Sequence, residues 1–306
     1  MQARGKIAVA GATGRVGRHV VDLLEERGHD VVPISRSLGV DVVTGEGLAE
    51  ALAGVETVID AATGATPEQQ AATEFFTAAT RNLQQLGGQA GVQRMVVVSI
   101  IGIDRFTTGY YVAKQAHEEA MLAGPIPVRI LRAAQFHEFV AELVNWGRQD
   151  GVSYVPKLRT QLVAARTVAE ALVDLATVPD SAPAGTSTAP IPEIAGPREE
   201  SLVEMARLLA ARRGDPVRIE GATNPADPDG HLYEHGALLP GPHATLAGPT
   251  FEEWLDGEQP TEVAPISRSR YAAGRQAARG SWRAPGVSPL AVYVRSGENP
   301  LQRRTP

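Results

Sequence analysis

The sequence contains no cysteine and no long uninterrupted run of apolar residues. Without cysteine, the mechanism has no disulfide, no thiolate nucleophile and no cysteine-ligated metal, and the protein needs no oxidising compartment. A strand pattern begins near residue 6, which leaves no room for a signal peptide before it, and no apolar stretch approaches the length of a membrane span. We therefore expect a cytoplasmic protein without a membrane partner.

An excess of positive charge is also missing. Asp and Glu number 35 against 29 Lys and Arg, which gives a formal net charge of −6, so no nucleic-acid partner is expected. Arginines cluster only in the tail, residues 261–306, among many Gly, Ala, Ser and Pro. Because aromatic residues there are few, we interpret the tail as a disordered, solvated appendage. A segment that binds RNA, a membrane or another protein is the alternative.

Three evenly spaced glycines follow the first strand pattern. Residues 7–10 predict a buried strand and residues 15–27 predict a helix that Gly28 ends. Between them, one glycine permits the sharp turn, one lets the backbone approach a pyrophosphate, and one allows close packing of helix on strand. The helix N-terminus then directs its N–H groups at the phosphates. An ordinary glycine-rich turn is the alternative. The context predicts a dinucleotide site formed by Gly11, Thr13, Gly14, Arg15, Val16 and Gly17.

Strand and helix patterns alternate through the first half of the chain. Strands are predicted at 29–34, 57–62, 94–99 and 128–131, with a further short one at 40–43; helices are predicted at 48–52, 68–86, 110–122, 168–177 and 198–213. This alternation predicts an α/β fold with a doubly wound parallel sheet. We divide the chain into a dinucleotide-binding core at 1–160, remaining core elements with a small substrate lobe at 161–260, and the basic tail at 261–306.

The residues after the second strand distinguish between the two nicotinamide cofactors. An acidic side chain at this position bonds the adenine ribose of NAD(H), whereas an arginine accommodates the 2′-phosphate of NADP(H). Here the sequence is Ser35-Arg36-Ser37, without a carboxylate. Arg36 therefore favours NADP(H), with NAD(H) also possible. Asp41 is a rival ribose ligand, and a plain surface arginine is the alternative interpretation of Arg36.

A tyrosine and a lysine four residues apart follow the strand at 94–99. On a helix Tyr110 and Lys114 share one face, so the ammonium is expected to lower the pKa of the phenol. Such a phenol can exchange a proton with a carbonyl oxygen, and Ser99 at the strand end is a candidate to hydrogen-bond the same oxygen. Lys114 is in addition a candidate to hold the nicotinamide ribose. A half-buried tyrosine with a snorkelling lysine is the alternative.

These motifs together resemble the NmrA-like, atypical branch of the short-chain dehydrogenase/reductase superfamily. The resemblance covers roughly residues 6–255 and depends on the glycine loop, Arg36, the segment Val98-Ser-Ile-Ile-Gly102, the Tyr110/Lys114 pair and residues 128–136. It implies a Rossmann domain with a small C-terminal substrate lobe. It also implies that Ala62 and Thr63, after the strand at 57–62, contact the adenosine half of the cofactor. Gln135 and Phe136 would lie against the nicotinamide.

Other candidate residues carry less weight. His231, His235 and His243 lie near acidic residues in the sequence, but their spacing fits no metal motif, so no metal is predicted. We interpret His137 as a structural histidine and Asp60 as a residue that orients a loop.

The expected function is reduction of a small carbonyl, enone or quinone-like substrate with NADP(H). A non-catalytic redox sensor that binds the cofactor and acts through a protein partner is the alternative. A third possibility is an epimerase or dehydratase that retains NAD, against which Arg36 argues. A homo-oligomer is possible.

Overall fold

The computed structural model describes residues 5–178 and 190–257. The predicted tail at 261–306 lies outside the described residues. In chain order, the elements are β1 (Lys6–Ala10), α1 (Gly17–Glu26), β2 (Asp30–Ile34), α2 (Leu48–Ala51), β3 (Thr57–Asp60), α3 (Gln69–Ala90), β4 (Arg94–Ile100), α4 (Gly109–Leu122), β5 (Val128–Ala133), α5 (His137–Trp146), β6 (Arg148–Gln149), β7 (Val152–Pro156), β8 (Arg159–Thr160), α6 (Ala165–Thr177), β9 (Glu193–Ala195), β10 (Glu200–Ser201), α7 (Leu202–Arg212), β11 (Arg218–Ala222), α8 (Gly230–Glu234), β12 (Thr245–Leu246) and α9 (Phe251–Gly257).

Seven parallel strands form the central sheet in the order β12-β9-β5-β4-β3-β1-β2. The chain steps from β1 to β2 on one side and continues with β3 on the other, so the strand order reverses between β1 and β3. In open parallel sheets, ligands bind in the crevice beyond the carboxyl ends of the strands at such a point. The predicted α/β class and doubly wound sheet are confirmed. By this rule the ligand crevice is expected beyond Ala10 and Asp60.

Apolar residues cover both faces of the sheet. On one face α1 and α6 bury Val20, Leu24, Val168 and Leu172 against β1, β3 and β4. On the other face α3 packs against the sheet with residues that include Leu83. Burial on both faces explains why the strands appear in the sequence as nearly continuous apolar runs.

A smaller lobe has a core of its own. Two short sheets, β11-β7-β6 and β10-β8, lie with α5, α7 and α9 around buried residues such as Val140, Val155, Leu209 and Phe251. Phe106, between β4 and α4, also belongs to this core. The predicted division of the chain near residue 160 stays a prediction. None of the helices within the two described ranges is long and apolar enough to cross a membrane.

The predicted strand at 40–43 is wrong, because other partners occupy its backbone groups. The Asp41 carboxylate accepts hydrogen bonds from the backbone N–H groups of Val43 (2.7 Å) and Thr44 (3.3 Å). The Asn82 amide donates to the carbonyl oxygens of Val42 (2.9 Å) and Val43 (2.7 Å). The segment is therefore a turn, and β2, which contains Pro33, is an edge strand of the described sheet.

Candidate cofactor and active site

The glycine loop between β1 and α1 fits tightly against its surroundings. Gly11 has a φ of +75°, and a Cβ atom there would lie 2.6 Å from the carbonyl oxygen of Ala61. A Cβ on Gly17 would overlap the carbonyl oxygen of Gly11. Gly11 therefore meets the predicted need for a sharp turn, and Gly17 lets the start of α1 lie against the loop backbone at Gly11 and Ala12.

The loop leaves several backbone donors without acceptors. Among the described residues, no backbone or side-chain acceptor bonds the N–H groups of Thr13, Arg15, Val16 and Gly17. The first turn of α1 contains no acidic side chain, so the positive end of the helix dipole is not neutralised locally. Unpaired donors at a helix N-terminus fit the oxygens of a phosphate group, which is the chemistry the glycine spacing predicts.

The side chain of Arg15 turns from this loop towards α5. It forms an ion pair with Glu142, and its guanidinium lies 5.6 Å from the ring centroid of Phe139 and 6.0 Å from that of Phe136. Because the Arg15 side chain is engaged in these contacts, only the backbone N–H of this residue is available to a ligand. The contact also joins the glycine loop to the smaller lobe.

Arg36 lies at the end of β2, close to the glycine loop. The carbonyl oxygen of Ile34 accepts hydrogen bonds from the N–H groups of Gly11 (3.0 Å) and Ala12 (3.2 Å), which ties the two segments together. Arg36 then begins a short 3₁₀ turn with an exposed side chain. Within the described ranges, no ion pair or hydrogen bond engages its guanidinium. Asp41, the rival ribose ligand, is instead engaged by its own turn.

The start of α4 is held by another part of the chain. Thr108 precedes the helix without a side-chain capping bond of its own. The Asp229 carboxylate, 6% exposed, accepts from the N–H groups of Thr107 (2.6 Å) and Thr108 (2.9 Å) and from both of their hydroxyls (3.0 to 3.2 Å). The next N–H, that of Gly109, donates to Oε1 of Gln69 on α3 at 2.8 Å. The helix that carries Tyr110 is therefore fixed by the smaller lobe and by α3.

Tyr110 is half-buried on the first turn of α4. Its hydroxyl lies 3.1 Å from Oγ1 of Thr63, and its ring centroid is 6.0 Å from that of Phe76. Burial raises the pKa of the Tyr110 phenol, and the hydrogen bond with Thr63 only partly offsets this. The expectation that Lys114 lowers this pKa is wrong, because the ammonium has other partners.

Those partners lie deeper in the protein. Lys114 is 5% exposed; its Nζ donates to the carbonyl oxygen of Val98 (2.9 Å), lies 3.0 Å from Nδ1 of His117, and sits 4.7 Å from the centre of the Phe76 ring. Burial lowers the pKa of Lys114 to about 8, although the nearby carboxylates Asp60 and Glu118 act to raise it. A lysine in this state changes its charge near physiological pH.

Asp60 and His117 continue the contacts of Lys114 towards β3. Each is 2% exposed, and Nε2 of His117 lies 3.3 Å from Oδ2 of Asp60. The other carboxylate oxygen of Asp60 accepts from the N–H of Ala62 at 2.9 Å. The prediction that Asp60 orients a loop is confirmed by this bond, since Ala62 begins the segment that the resemblance assigns to the adenosine half. His117 was missed at the sequence level, because its only signal is a position three residues after Lys114.

Two buried donors at the ends of β4 and β5 have no partner. The hydroxyl of Ser99, 2% exposed, and Nε2 of Gln135 make no hydrogen bond among the described residues. Gln135 is held by its other end, because Oε1 accepts from the hydroxyl of Thr160 at 2.6 Å. Buried polar atoms are usually paired, so an unpaired pair of donors at the crevice end of the sheet suits a ligand oxygen.

Tyr111 and His137 are used in packing. The Tyr111 ring centroid lies 4.3 Å from that of Phe106, so Tyr111 packs against the core of the smaller lobe. Nε2 of His137 lies 3.0 Å from the carbonyl oxygen of Pro249, and burial lowers the pKa of His137 to about 4, as suits a structural histidine.

The histidines near α8 belong to no metal cluster in the part of the chain that the structure describes. No group of three or more His, Asp or Glu residues there could hold a metal ion.

Comparison with known proteins agrees with this geometry. The chain matches the NAD(P)H-binding domain family over residues 11–179, which is more than half of its length. Over 113 residues it is 34% identical to a 3-beta-hydroxysteroid dehydrogenase of Mycolicibacterium neoaurum, and this match spans 30% of the chain and only 31% of that relative.

Solved structures show the same fold at low sequence identity. A short-chain dehydrogenase/reductase superfamily protein from Agrobacterium tumefaciens with bound NAD gives a TM-score of 0.58 at 18% identity, covering 82% of this chain and 95% of that one. The UDP-glucuronic acid 4-epimerase from Bacillus cereus, in complex with UDP-glucuronic acid and NAD, gives a TM-score of 0.57 at 13% identity, covering 83% and 97%. The family match shows that the chain belongs to the NAD(P)H-binding family, and the solved structures show that it shares their Rossmann fold.

Proposed function

We propose that the protein is an NADP(H)-dependent oxidoreductase of the atypical short-chain type, which reduces a carbonyl, enone or quinone-like group in a small molecule. The observation that carries this proposal is the combination of unpaired donors in the glycine loop with Tyr110 and the unpaired Ser99 hydroxyl at the same end of the sheet. The sequence match to a hydroxysteroid dehydrogenase supports oxidoreductase chemistry.

In this proposal the cofactor is held mainly by backbone groups and one arginine. The unpaired N–H groups of residues 13 and 15–17 bind the pyrophosphate. The exposed guanidinium of Arg36 binds the 2′-phosphate through its forked donors. Ala62 and Thr63 would contact the adenosine half of the cofactor. Gln135 and Phe136 would lie against the nicotinamide ring, which supplies a hydride when the cofactor is bound.

Tyr110 supplies the proton in the proposed reduction. Because burial raises the pKa of its phenol, the hydroxyl stays protonated at neutral pH and can donate to a substrate oxygen. To do so it exchanges its hydrogen bond with Thr63 for one to the substrate. The Ser99 hydroxyl donates to the same oxygen, which stabilises negative charge as it develops there. Lys114 supplies a positive charge one helical turn further along α4.

Substitution of Tyr110 tests this assignment. A panel of small carbonyl, enone and quinone compounds is screened for NADPH oxidation, and Tyr110→Phe is compared with Tyr111→Phe on any compound that reacts. General acid catalysis contributes about 10²–10⁴-fold, so Tyr110→Phe should lower kcat by that factor while Tyr111→Phe changes it little. Full turnover by Tyr110→Phe would contradict the role. Tight NADPH binding with no turnover on any compound would favour the redox sensor.

A second candidate is a nucleotide-sugar epimerase that retains NAD. The structural likeness to a UDP-glucuronic acid 4-epimerase favours it, although that likeness alone shows only the fold. The absence of a carboxylate at residues 35–37 argues against it. Analysis of the nucleotide released on denaturing the purified protein separates the two candidates: retained NAD supports the epimerase, whereas free exchange of NADP(H) supports the reductase.

A further inference from the structure

Three buried ionisable side chains lie in a row from α4 to β3. The Lys114 ammonium lies 3.0 Å from Nδ1 of His117, and Nε2 of the same ring lies 3.3 Å from Oδ2 of Asp60. The ring of Phe76 stacks on His117 with centroids 4.5 Å apart and fixes its plane. A single imidazole thus stands between a buried ammonium and a buried carboxylate.

While Lys114 is charged, the hydrogen-bond chemistry of this row allows one arrangement of protons. An ammonium can only donate, so Nδ1 of His117 must be unprotonated to accept from Lys114. In a neutral imidazole the hydrogen is then on Nε2. The Asp60 carboxylate lies 3.3 Å from this nitrogen and attracts its N–H electrostatically, although Nε2 makes no hydrogen bond among the described residues. Burial and the Lys114 charge both lower the pKa of His117, against the opposing effect of Asp60, which agrees with a neutral ring.

We propose that His117 and Asp60 are positioning residues for Lys114: Asp60 fixes His117 in the Nε2–H tautomer, and Nδ1 then holds the buried ammonium in its charged form. This inference rests on the proposed function in one respect, namely that the charge of Lys114 acts beside Tyr110 in the reaction. Nothing in the glycine loop or in the Tyr110/Lys114 spacing requires this pair of residues.

Other charges around the row are already paired. Glu118, on α4, faces both Lys114 and His117, and its carboxylate is held by Arg132 of β5, with N–O distances of 3.0 Å and 2.7 Å. Arg132 also bonds Asp104. From α3 the contact is the ring of Phe76, and from β4 it is the carbonyl oxygen of Val98. Glu118 is thus already paired with Arg132, whereas Asp60 contacts the imidazole of His117, which in turn contacts Lys114.

The titration of Lys114 can be measured directly, because the chain has three lysines in all: Lys6, Lys114 and Lys157. Protein labelled with ¹³C and ¹⁵N in lysine is titrated by NMR without cofactor or substrate, and Lys114 is assigned with Lys114→Met. The variants are Asp60→Asn, His117→Phe and His117→Gln, with His243→Gln as a control for an exposed histidine. The wild-type Lys114 should titrate near pH 8.

Each disruption of the row has a distinct expected result. Asp60→Asn removes an opposite charge and His117→Phe removes an acceptor for the charged form, so each should lower the Lys114 midpoint by about one pH unit or more. His117→Gln should recover part of the shift, since its carboxamide oxygen can accept from the ammonium. His243→Gln should change nothing. An unchanged midpoint in both Asp60→Asn and His117→Phe would overturn the proposal.

A measurement on the wild-type protein guards against variants that do not fold. The ¹⁵N chemical shifts of the His117 ring at pH 7 should identify a neutral imidazole with its hydrogen on Nε2. A hydrogen on Nδ1, or an imidazolium, would overturn the proposal. These measurements need neither cofactor nor turnover, so their failure is separate from a failure of Tyr110→Phe to reduce activity.

Discussion

Replacing Asp229 by alanine removes the carboxylate that holds the start of α4. That carboxylate accepts two backbone N–H groups and two hydroxyls from Thr107 and Thr108 at 2.6 to 3.2 Å. One hydrogen bond to a charged group contributes about 1.5–3 kcal/mol, but bonds that share an acceptor do not add. We therefore expect Asp229→Ala to lower the free energy of unfolding by roughly 3 kcal/mol, or the melting temperature by roughly 6 °C.

The pH dependence of this loss follows from the pKa of Asp229. Burial raises that pKa, but the donors of Thr107 and Thr108 outweigh burial, so the folded-state pKa lies below the ordinary value. A depressed carboxyl pKa stabilises the fold above the unfolded-state pKa of about 3.9, and this stabilisation disappears as the pH falls through the folded-state pKa. The difference between wild type and Asp229→Ala should thus be complete at pH 7 and shrink below about pH 4.

Thermal and urea unfolding followed by circular dichroism at pH 7 and pH 3.5 measure both effects. Asp229→Asn is the matched variant, because its amide oxygen still accepts from the backbone; it should lose only about 1 kcal/mol and show little pH dependence. A loss of less than about 0.5 kcal/mol in Asp229→Ala at pH 7, the size of an ordinary surface substitution, would refute this account of how α4 is held.

Other expectations concern the cofactor and the charge of Lys114. Measured by calorimetry, Arg36→Ala should weaken NADPH binding by about 10–100-fold with little change in NADH binding. Replacing Arg81, an exposed arginine of α3, by alanine should change neither affinity. Equal wild-type affinity for both cofactors would refute the assignment of Arg36 to the 2′-phosphate. Gly17→Ala should abolish measurable cofactor binding, because the new Cβ overlaps the carbonyl oxygen of Gly11; retained affinity would show that the loop tolerates a side chain. The ammonium of Lys114 is present below about pH 8 and lost above it. Because the proposed reaction uses this charge one helical turn after Tyr110, NADPH turnover should fall with an alkaline limb near that pH, and a flat profile to pH 9.5 would contradict a role for the Lys114 charge in turnover.

Local patterns were sufficient to predict the sheet and the glycine loop. Periodicity gave β1, β4 and α4 within a few residues, because both faces of the sheet are buried and the helices are amphipathic. The same kind of pattern failed at 40–43, where two valines follow Asp41. The Asp41 side chain forms an Asx turn and accepts from a backbone N–H of this segment. The amide of Asn82, distant in sequence, donates to a backbone carbonyl oxygen of the same segment. Hydrophobic periodicity carries no signal of either bond.

The contacts around the proposed active site were harder to predict from the sequence. The spacing of Tyr110 and Lys114 places both on one helix face, but it does not say where a long, flexible side chain ends. Lys114 bonds Val98 and His117, so its charge does not lower the Tyr110 pKa. The Asp229 contacts to residues 107–108 join segments more than a hundred residues apart. Such contacts depend on tertiary packing, which a single sequence does not display.

The edge position of β2 has a consequence for self-association. An edge strand offers unpaired backbone groups on which a strand of a second molecule can add. Pro33 has no N–H to donate, and the exposed Asp30 places a charge at the start of the same strand. Both features discourage continuation of the sheet at this edge. If copies of the protein associate, we therefore expect the contact away from β2, which would leave Arg36 at the end of that strand accessible.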